Sequence, residues 1–269
     1  MGTQLEKARA FRALHERAHA FIIPNPWDAG SARLLEHLGF EALATTSAGY
    51  AFTAGRPDGT TPREEMMAHC AAVVQATALP VSGDLENGFG DSPQTVAETI
   101  RLAAGAGLVG ASIEDSTGRA ETPIYEFEHA VERIRAAVEA ARALAFPFAL
   151  TARAENFITG RPDIADTIRR LQAFEEAGAD VLYAPGLSKG ADISAVVSSL
   201  KKPVNVLAFP GFDMADLSAR GVRRVSVGSA LSRAALGSFL RAAQEMRDHG
   251  TFGFCSDAVG YKDLNDIFG

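Results

Sequence analysis

The chain has 269 residues, 47% hydrophobic and 22% charged, enough for one large buried core, and its 26 basic and 33 acidic residues leave a net charge of −7. It has no basic run or Lys/Arg stripe, which argues against nucleic acid as a partner. The two cysteines, Cys70 and Cys255, form no CxxC or Cys/His cluster, which argues against a disulfide framework or structural zinc; a cytoplasmic protein is expected, with no signal peptide and no apolar run near the roughly 20 residues of a membrane span.

Gln4 to Ala18 places Leu5, Ala8, Phe11 and Leu14 at helical spacing and reads as an N-terminal helix. Ala20–Pro24 is the first strand, and the helix Ser31–Leu38 after it ends at Gly39. The second strand is Glu41–Thr46. A long loop, Ser47 to Thr61, follows, and Thr61 is the expected N-cap of a helix running from Pro62 to Thr77. Strand three is Pro80–Gly83, then a polar, glycine-rich loop and a helix from Ser92 to Ala104. Strand four is Gly110–Glu114, with a loop to Pro123 and a helix over Glu126–Leu144. Strand five is Phe148–Ala152 with the helix Pro162–Ala177. Strand six is Asp180–Ala184 with the helix Asp192–Leu200. Strand seven is Val204–Ala208, followed by a short helix at Met214–Ala219. Strand eight is Val225–Gly228, and the last barrel helix is Ala230–Asp248.

Eight strand–helix units in order, with strands apolar throughout rather than alternating, predict a (β/α)8 TIM barrel over residues 1–250. To this are added the N-terminal helix and an extra C-terminal helix in a tail at 251–269. The tail's Val259, Leu264, Ile267 and Phe268 have no place in a completed barrel, so it docks either on its own barrel or on a neighbouring subunit.

Acidic and polar residues recur just past the strands, where such barrels build their active sites. Asp84 and Glu86 follow strand three, Glu114 and Asp115 close strand four, Arg153 and Glu155 follow strand five, and Asn205 lies in strand seven. Asp84, Glu86 and Glu114 are hard oxygen donors suited to Mg²⁺ or Mn²⁺; the plainer alternative is a set of solvated loop acids. The guanidinium of Arg153 suits a carboxylate clamp, an ion pair with Glu155 or Glu114, or both together. The small residues Thr46, Ser47, Ala48 and Gly49 allow close approach of an anion to backbone N–H groups. Asp58, in Gly55-Arg56-Pro57-Asp58-Gly59, reads equally well as a turn former. The chain has no GxSxG elbow and no P-loop.

With these residues in place the chain resembles the isocitrate lyase/phosphoenolpyruvate mutase superfamily, in particular its 2-methylisocitrate lyase-like and oxaloacetate decarboxylase-like members. The resemblance rests on Gly83-Asp84-Leu85-Glu86-Asn87-Gly88-Phe89-Gly90, Ser112-Ile113-Glu114-Asp115, Thr151-Ala152-Arg153-Ala154-Glu155 and Asp28-Ala29-Gly30-Ser31-Ala32-Arg33. It implies a Mg²⁺ ion (Mn²⁺ as alternative) held directly by Asp84, with Glu86, Glu114 and Asp58 contacting it largely through water. It also implies Thr46, Ser47, Ala48, Arg153 and Asn205 around a small carboxylate substrate, with catalytic roles for Asp58, Glu114 and Arg153. A homo-oligomer, tetramer or dimer, with a C-terminal helix exchanged between subunits, is implied as well. The loop Ser116-Thr117-Gly118-Arg119-Ala120-Glu121-Thr122-Pro123 departs from the family's lyases: it lacks their cysteine, lysine and histidine. Pro185-Gly186 stands where they carry a glutamate after strand six. The expected function is a Mg²⁺-dependent carbon–carbon lyase acting on a small 2-oxo or 2-hydroxy di- or tricarboxylate through an enolate, with Arg119 or Glu121 in a mobile lid. Carbon–phosphorus mutase or hydrolase chemistry, or a catalytically weak barrel that binds a 2-oxo acid, are the alternatives.

Overall fold

The computed structural model describes residues 2–269. Its eight parallel strands are β1 (Phe21–Ile23), β2 (Leu43–Ala44), β3 (Val81–Asp84), β4 (Gly110–Glu114), β5 (Ala149–Arg153), β6 (Val181–Tyr183), β7 (Val204–Leu207) and β8 (Arg224–Ser226). They pair in the order β1–β8–β7–β6–β5–β4–β3–β2. The seam between β1 and β2 is thin because Pro24 has no N–H to donate. Among the described residues a single backbone bond, Ala44 N–H to Pro24 O at 3.1 Å, crosses it. Asn25 reinforces the closure: Nδ2 donates to Thr45 O at 3.1 Å, and Oδ1 accepts from Val227 N and Gly228 N at 2.9 Å each. The (β/α)8 barrel is the observed fold.

The helix α1 (Gln4–His15) carries a capping box at Thr3 and Glu6 and closes the N-terminal end of the barrel. Its Phe11 and Leu14 pack with Phe21, Ile23 and Ala149 in a separate apolar cluster. Gly110 gives Phe11 its room, since a Cβ there would lie 2.7 Å from Ala149 O and 3.0 Å from the Phe11 ring. Above this plug the inward side chains turn small or polar: Ala44, Ser82, Ser112, Asn205 and Ser226. Such barrels are usually filled by branched apolar side chains. Here the small residues leave an open cavity instead.

Five local expectations need correction. Ser47–Thr53, expected as loop, is a helix, α3, capped by Thr46 Oγ1, which accepts from Gly49 N at 3.2 Å. Pro62, rather than Thr61, is the N-cap residue of α4 (Arg63–Ala76), and Thr61 Oγ1 is buried without a partner. Strand five begins at Ala149 and includes Arg153, and strand eight begins at Arg224. The tail forms a 3₁₀ turn at Gly253–Asp257 before its helix, Tyr261–Phe268.

That terminal helix packs on α2 (Ala29–His37) of its own barrel, where Arg33 donates to Ile267 O at 3.4 Å and stands over the Phe268 ring. The preceding long helix, Ala230–His249, behaves differently. Only its Ser232 is buried, and Phe239 is 68% and Leu240 57% exposed. Ile22, in the middle of β1, is also left 37% exposed, so this part of the barrel wall lacks a cover.

Candidate active site

A cavity of about 950 Å³ opens at the C-terminal ends of the strands. The structure brings Thr46, Ser47, Ala48, Asp58, Asp84, Glu86, Glu114, Arg153 and Asn205 together around it. Arg153 is its hub. Nη1 meets Asp84 Oδ1 at 2.9 Å, Nη2 meets Glu114 Oε2 at 3.1 Å and Nε meets Glu155 Oε1 at 2.8 Å. The Arg153 guanidinium also lies 5.3 Å from the centroid of the Tyr183 ring. The pairing is set by register, because Glu114, Arg153 and Tyr183 are successive partners across β4, β5 and β6.

Asp84 ends β3 and is firmly oriented. Its Oδ2 accepts from Ser47 N and Ser47 Oγ, both at 3.0 Å, and its own N–H donates to Thr45 Oγ1 at 2.9 Å. Asp58 Oδ1 accepts from Gly59 N at 3.0 Å and lies 3.4 Å from Ser47 Oγ, whose single hydrogen points to the nearer Asp84, so the two carboxylates flank one hydroxyl. Glu86 sits in left-handed backbone at φ 50°, an uncommon conformation for a side-chain-bearing residue. Its Oε1 is buried without a hydrogen-bond partner. Arg133 holds the loop that carries Glu86, donating to the carbonyls of Asn87, Gly90 and Asp91.

Burial and mutual repulsion raise the acids. Burial, then Asp84 and Asp58, push the Glu86 carboxyl up to about 7. Burial and Asp84 also raise Asp58, and burial raises Glu114 well above the usual carboxylate range despite Arg153. Burial lifts Asp115 to about 7 although Arg170 pairs with it at 3.1 Å. Asp115 Oδ1 in turn accepts from Glu155 N at 2.8 Å, so it supports the site from outside the cavity.

These shifts make stability depend on pH. Glu86 and Asp115 bind protons in the folded state up to about pH 7. In the unfolded chain they do so only to about 4. Their contribution is therefore complete below the unfolded values and is lost as pH rises through 7. His15 and His69, held neutral down to about 3 and about 4 by burial, act in the opposite sense, but only below the ordinary histidine value of about 6.5. In EDTA, the melting temperature is expected to fall between pH 6.5 and 8. Calorimetry across that window checks this, and a rising Tm would contradict it.

Several site residues were not legible in sequence: Ser112, whose Oγ lies 3.4 Å from Asp84 Oδ1, and Tyr183, Arg224 and Ser226, which also line the cavity. The inward parity shared with Glu114, Arg153 and Asn205 is the signal that marks them. The loop after β4 folds back on itself through a Ser116–Ile124 bridge, and Arg119 is tied to Asp91 at 3.0 Å, while Glu121 is exposed.

Whether these residues suit a divalent cation is answered by their chemistry. Asp58, Asp84, Glu86, Glu114 and Glu155 crowd Arg153, Glu86 Oε1 lacks a partner, and Asp58, Glu86, Glu114 and Glu155 are raised in pKa. That environment fits a positive ion. Among the described residues, no group of three His, Cys, Asp or Glu side chains closes on one point. Direct ligation by Asp84, Glu86 and Glu114 together is therefore not what the geometry offers; the acids are spread too widely around Arg153. One direct carboxylate, with waters between the ion and the others, is the arrangement Mg²⁺ commonly takes.

Comparison with known proteins agrees with the fold. The phosphoenolpyruvate phosphomutase family model matches residues 11–247. A crystal structure from Burkholderia cenocepacia J2315, provisionally described as a lyase/mutase, shares 62% identity at a TM-score of 0.97, covering 99% of this chain and 96% of that one. An uncharacterized protein of Mycobacterium tuberculosis (strain H37Rv) is 31% identical over 245 residues, 89% of each chain. Oxaloacetate decarboxylase of Ectopseudomonas mendocina is 28% identical, covering 90% of this chain and 85% of its own.

Proposed function

The chain belongs to the phosphoenolpyruvate phosphomutase family, within the isocitrate lyase/phosphoenolpyruvate mutase superfamily, and we propose that it is a Mg²⁺-dependent lyase that breaks a carbon–carbon bond in a small 2-oxo or 2-hydroxy di- or tricarboxylate. The observation that carries this reading is the Arg153 hub among buried acids at the mouth of the barrel. Nε and Nη1 of Arg153 each donate one N–H, to Glu155 and Asp84, and Nη2 forms an ion pair with Glu114. The second N–H of Nη1 and of Nη2 is left for substrate oxygens, and the flanking acids fix the plane of the fork. When bound at Asp84, a divalent cation supplies positive charge that offsets the negative charge developing on the substrate. Ser47 keeps Asp84 in place through both its N–H and its hydroxyl. Glu86, near 7, can hold or release a proton at neutral pH.

The loop after β4 offers no thiol to protonate a departing enolate. Oxaloacetate decarboxylation needs none, because water can reach the product in so open a cavity. The test is turnover of oxaloacetate, isocitrate, 2-methylisocitrate and phosphonopyruvate with Mg²⁺, following 2-oxo products and phosphate. EDTA-sensitive cleavage of a carbon–carbon substrate supports the lyase. Phosphate release moves the protein to carbon–phosphorus chemistry, and binding without turnover of any substrate sinks the enzyme reading. Among the described residues no helix is long and apolar enough to cross a membrane.

A second copy of the chain is the proposed cover for the exposed helix Ala230–His249. Leu236, Phe239, Leu240 and Met246 are all exposed along it. A lone helix so little buried is marginal in water. Phe239→Asp with Leu240→Asp is expected to lower the mass measured by light scattering from a homo-oligomer towards one chain; an unchanged mass would refute the cover.

A further inference from the structure

Arg224 opens β8 and is only 5% exposed, yet it lines the floor of the cavity. All its partners are neutral. Nε donates to Asn205 Oδ1 at 2.8 Å, Nη2 donates to Thr151 Oγ1 at 2.9 Å, and Nη1 faces His15 Nε2 at 3.3 Å. Burial lowers its pKa only to about 10, so it stays charged at neutral pH. A buried charge without a counter-ion is costly, and a floor built only for packing would be better served by an apolar side chain.

The hydrogen bonds have a direction. His15 Nδ1 lies 2.8 Å from Phe11 O, which can only accept, so Nδ1 carries the hydrogen and Nε2 offers a lone pair to Arg224. Burial and Arg224 hold the His15 pKa down at about 3, which keeps that lone pair available. Arg224 in turn can only donate. Asn205 must therefore turn its oxygen towards Arg224 and its nitrogen towards Ser226, whose Oγ accepts from Nδ2 at 3.0 Å. That leaves Nδ2 with one uncommitted N–H beside the cavity.

We propose that Arg224, seated from below by His15, is a positioning residue that locks the Asn205 amide so that an N–H, never the carbonyl oxygen, meets an anionic oxygen of the substrate. Two neutral supports and one cation thus give the far wall a donor face, opposite the acids of β3 and β4. This rests on the reading of the cavity as a carboxylate-binding active site.

The experiment compares Arg224→Met, Asn205→Ala and the double variant by kcat/KM on whichever substrate turns over, and by calorimetric titration with oxalate, a stable planar dianion. Methionine fills the floor without a charge, so the variant is expected to fold. Each single change is expected to cost about tenfold in kcat/KM and in oxalate affinity, with the double variant no worse than Asn205→Ala. His15→Gln, which keeps an acceptor, is expected to retain more activity than His15→Phe. Multiplicative losses, or an Arg224→Met enzyme within about twofold of the parent, would overturn the proposal. Asn205→Asp reads the contact without any ligand: a carboxylate beside Arg224 is expected to raise Tm while activity is lost, and a lowered Tm counts against the contact. If no substrate turns over and oxalate does not bind, the proposed function fails, while the Asn205→Asp shift still decides whether Arg224 holds residue 205.

Discussion

Arg153→Met is expected to lower both stability and turnover more than any other single change in the site. The guanidinium is the shared partner of Asp84, Glu114 and Glu155, with Arg153 14% and Glu155 1% exposed in their side chains. Removing one partner of a buried pair leaves uncompensated charge, which costs about 3–5 kcal/mol. The sign of the pH effect follows. Without Arg153, the pKa values of Glu114 and Glu155, already raised by burial, rise further. Folding then favours protons more strongly, so the variant's stability is lost as pH rises through those values and recovers as pH falls. The deficit against the parent, measured by denaturant titration, is expected to be larger at pH 8 than at pH 5. A pH-independent deficit would mean that Arg153 stabilises by packing rather than by charge. Arg153→Lys keeps the charge but not the planar fork. It should recover part of the stability and little of the turnover, which falls about a hundredfold or more when a directed donor is lost.

Asp84→Asn is the second large effect, and it separates metal binding from folding. The substitution keeps the shape but replaces an acceptor by an amide nitrogen that faces donors from Ser47 or Arg153. It also removes a negative charge that raises Asp58 and Glu86. The lost bonds and the relieved repulsion oppose each other, so the Tm in EDTA should change little. The Mg²⁺ response should disappear. For the parent, saturating Mg²⁺ at about 100 times its dissociation constant adds about 2.7 kcal/mol, read as a Tm increase. That increase should grow between pH 6 and 8, because protons on Glu86 compete with the ion below about 7. In Asp84→Asn, the Glu86 titration, followed by carbon-13 NMR, is expected to move down towards the ordinary carboxylate range. Full retention of the Mg²⁺ response would place the direct ligand elsewhere.

Much of this molecule was legible in order along the chain. Apolar runs separated by helical patterns gave the barrel, and the charged residues just past those runs gave Asp84, Glu86, Glu114 and Arg153 at one end of it. The misread segments have specific causes. Ser47–Thr53 opens on Ser47-Ala48-Gly49 and so reads as loop; it is helical because Thr46 caps it and Ser47 is pinned to Asp84, a residue far along the chain. Arg224 fell outside the expected strand eight because a charge at the edge of an apolar run reads as the loop before it. Its partners come from α1, β5 and β7, and no local pattern announces them.

Sequence by itself determined the fold class, the number of strand–helix units and the residue types gathered at the strand ends, because hydrophobic period and turn chemistry are local properties. Tertiary structure decided which acids share Arg153, which way Asn205 faces, that Asp84, Glu86 and Glu114 do not close on one point, and that the helix Ala230–His249 leaves its apolar residues exposed. Those depend on strand register and on contacts between distant segments. A shift of one residue in register exchanges the inward and outward faces of a strand, and with them every partner in the site.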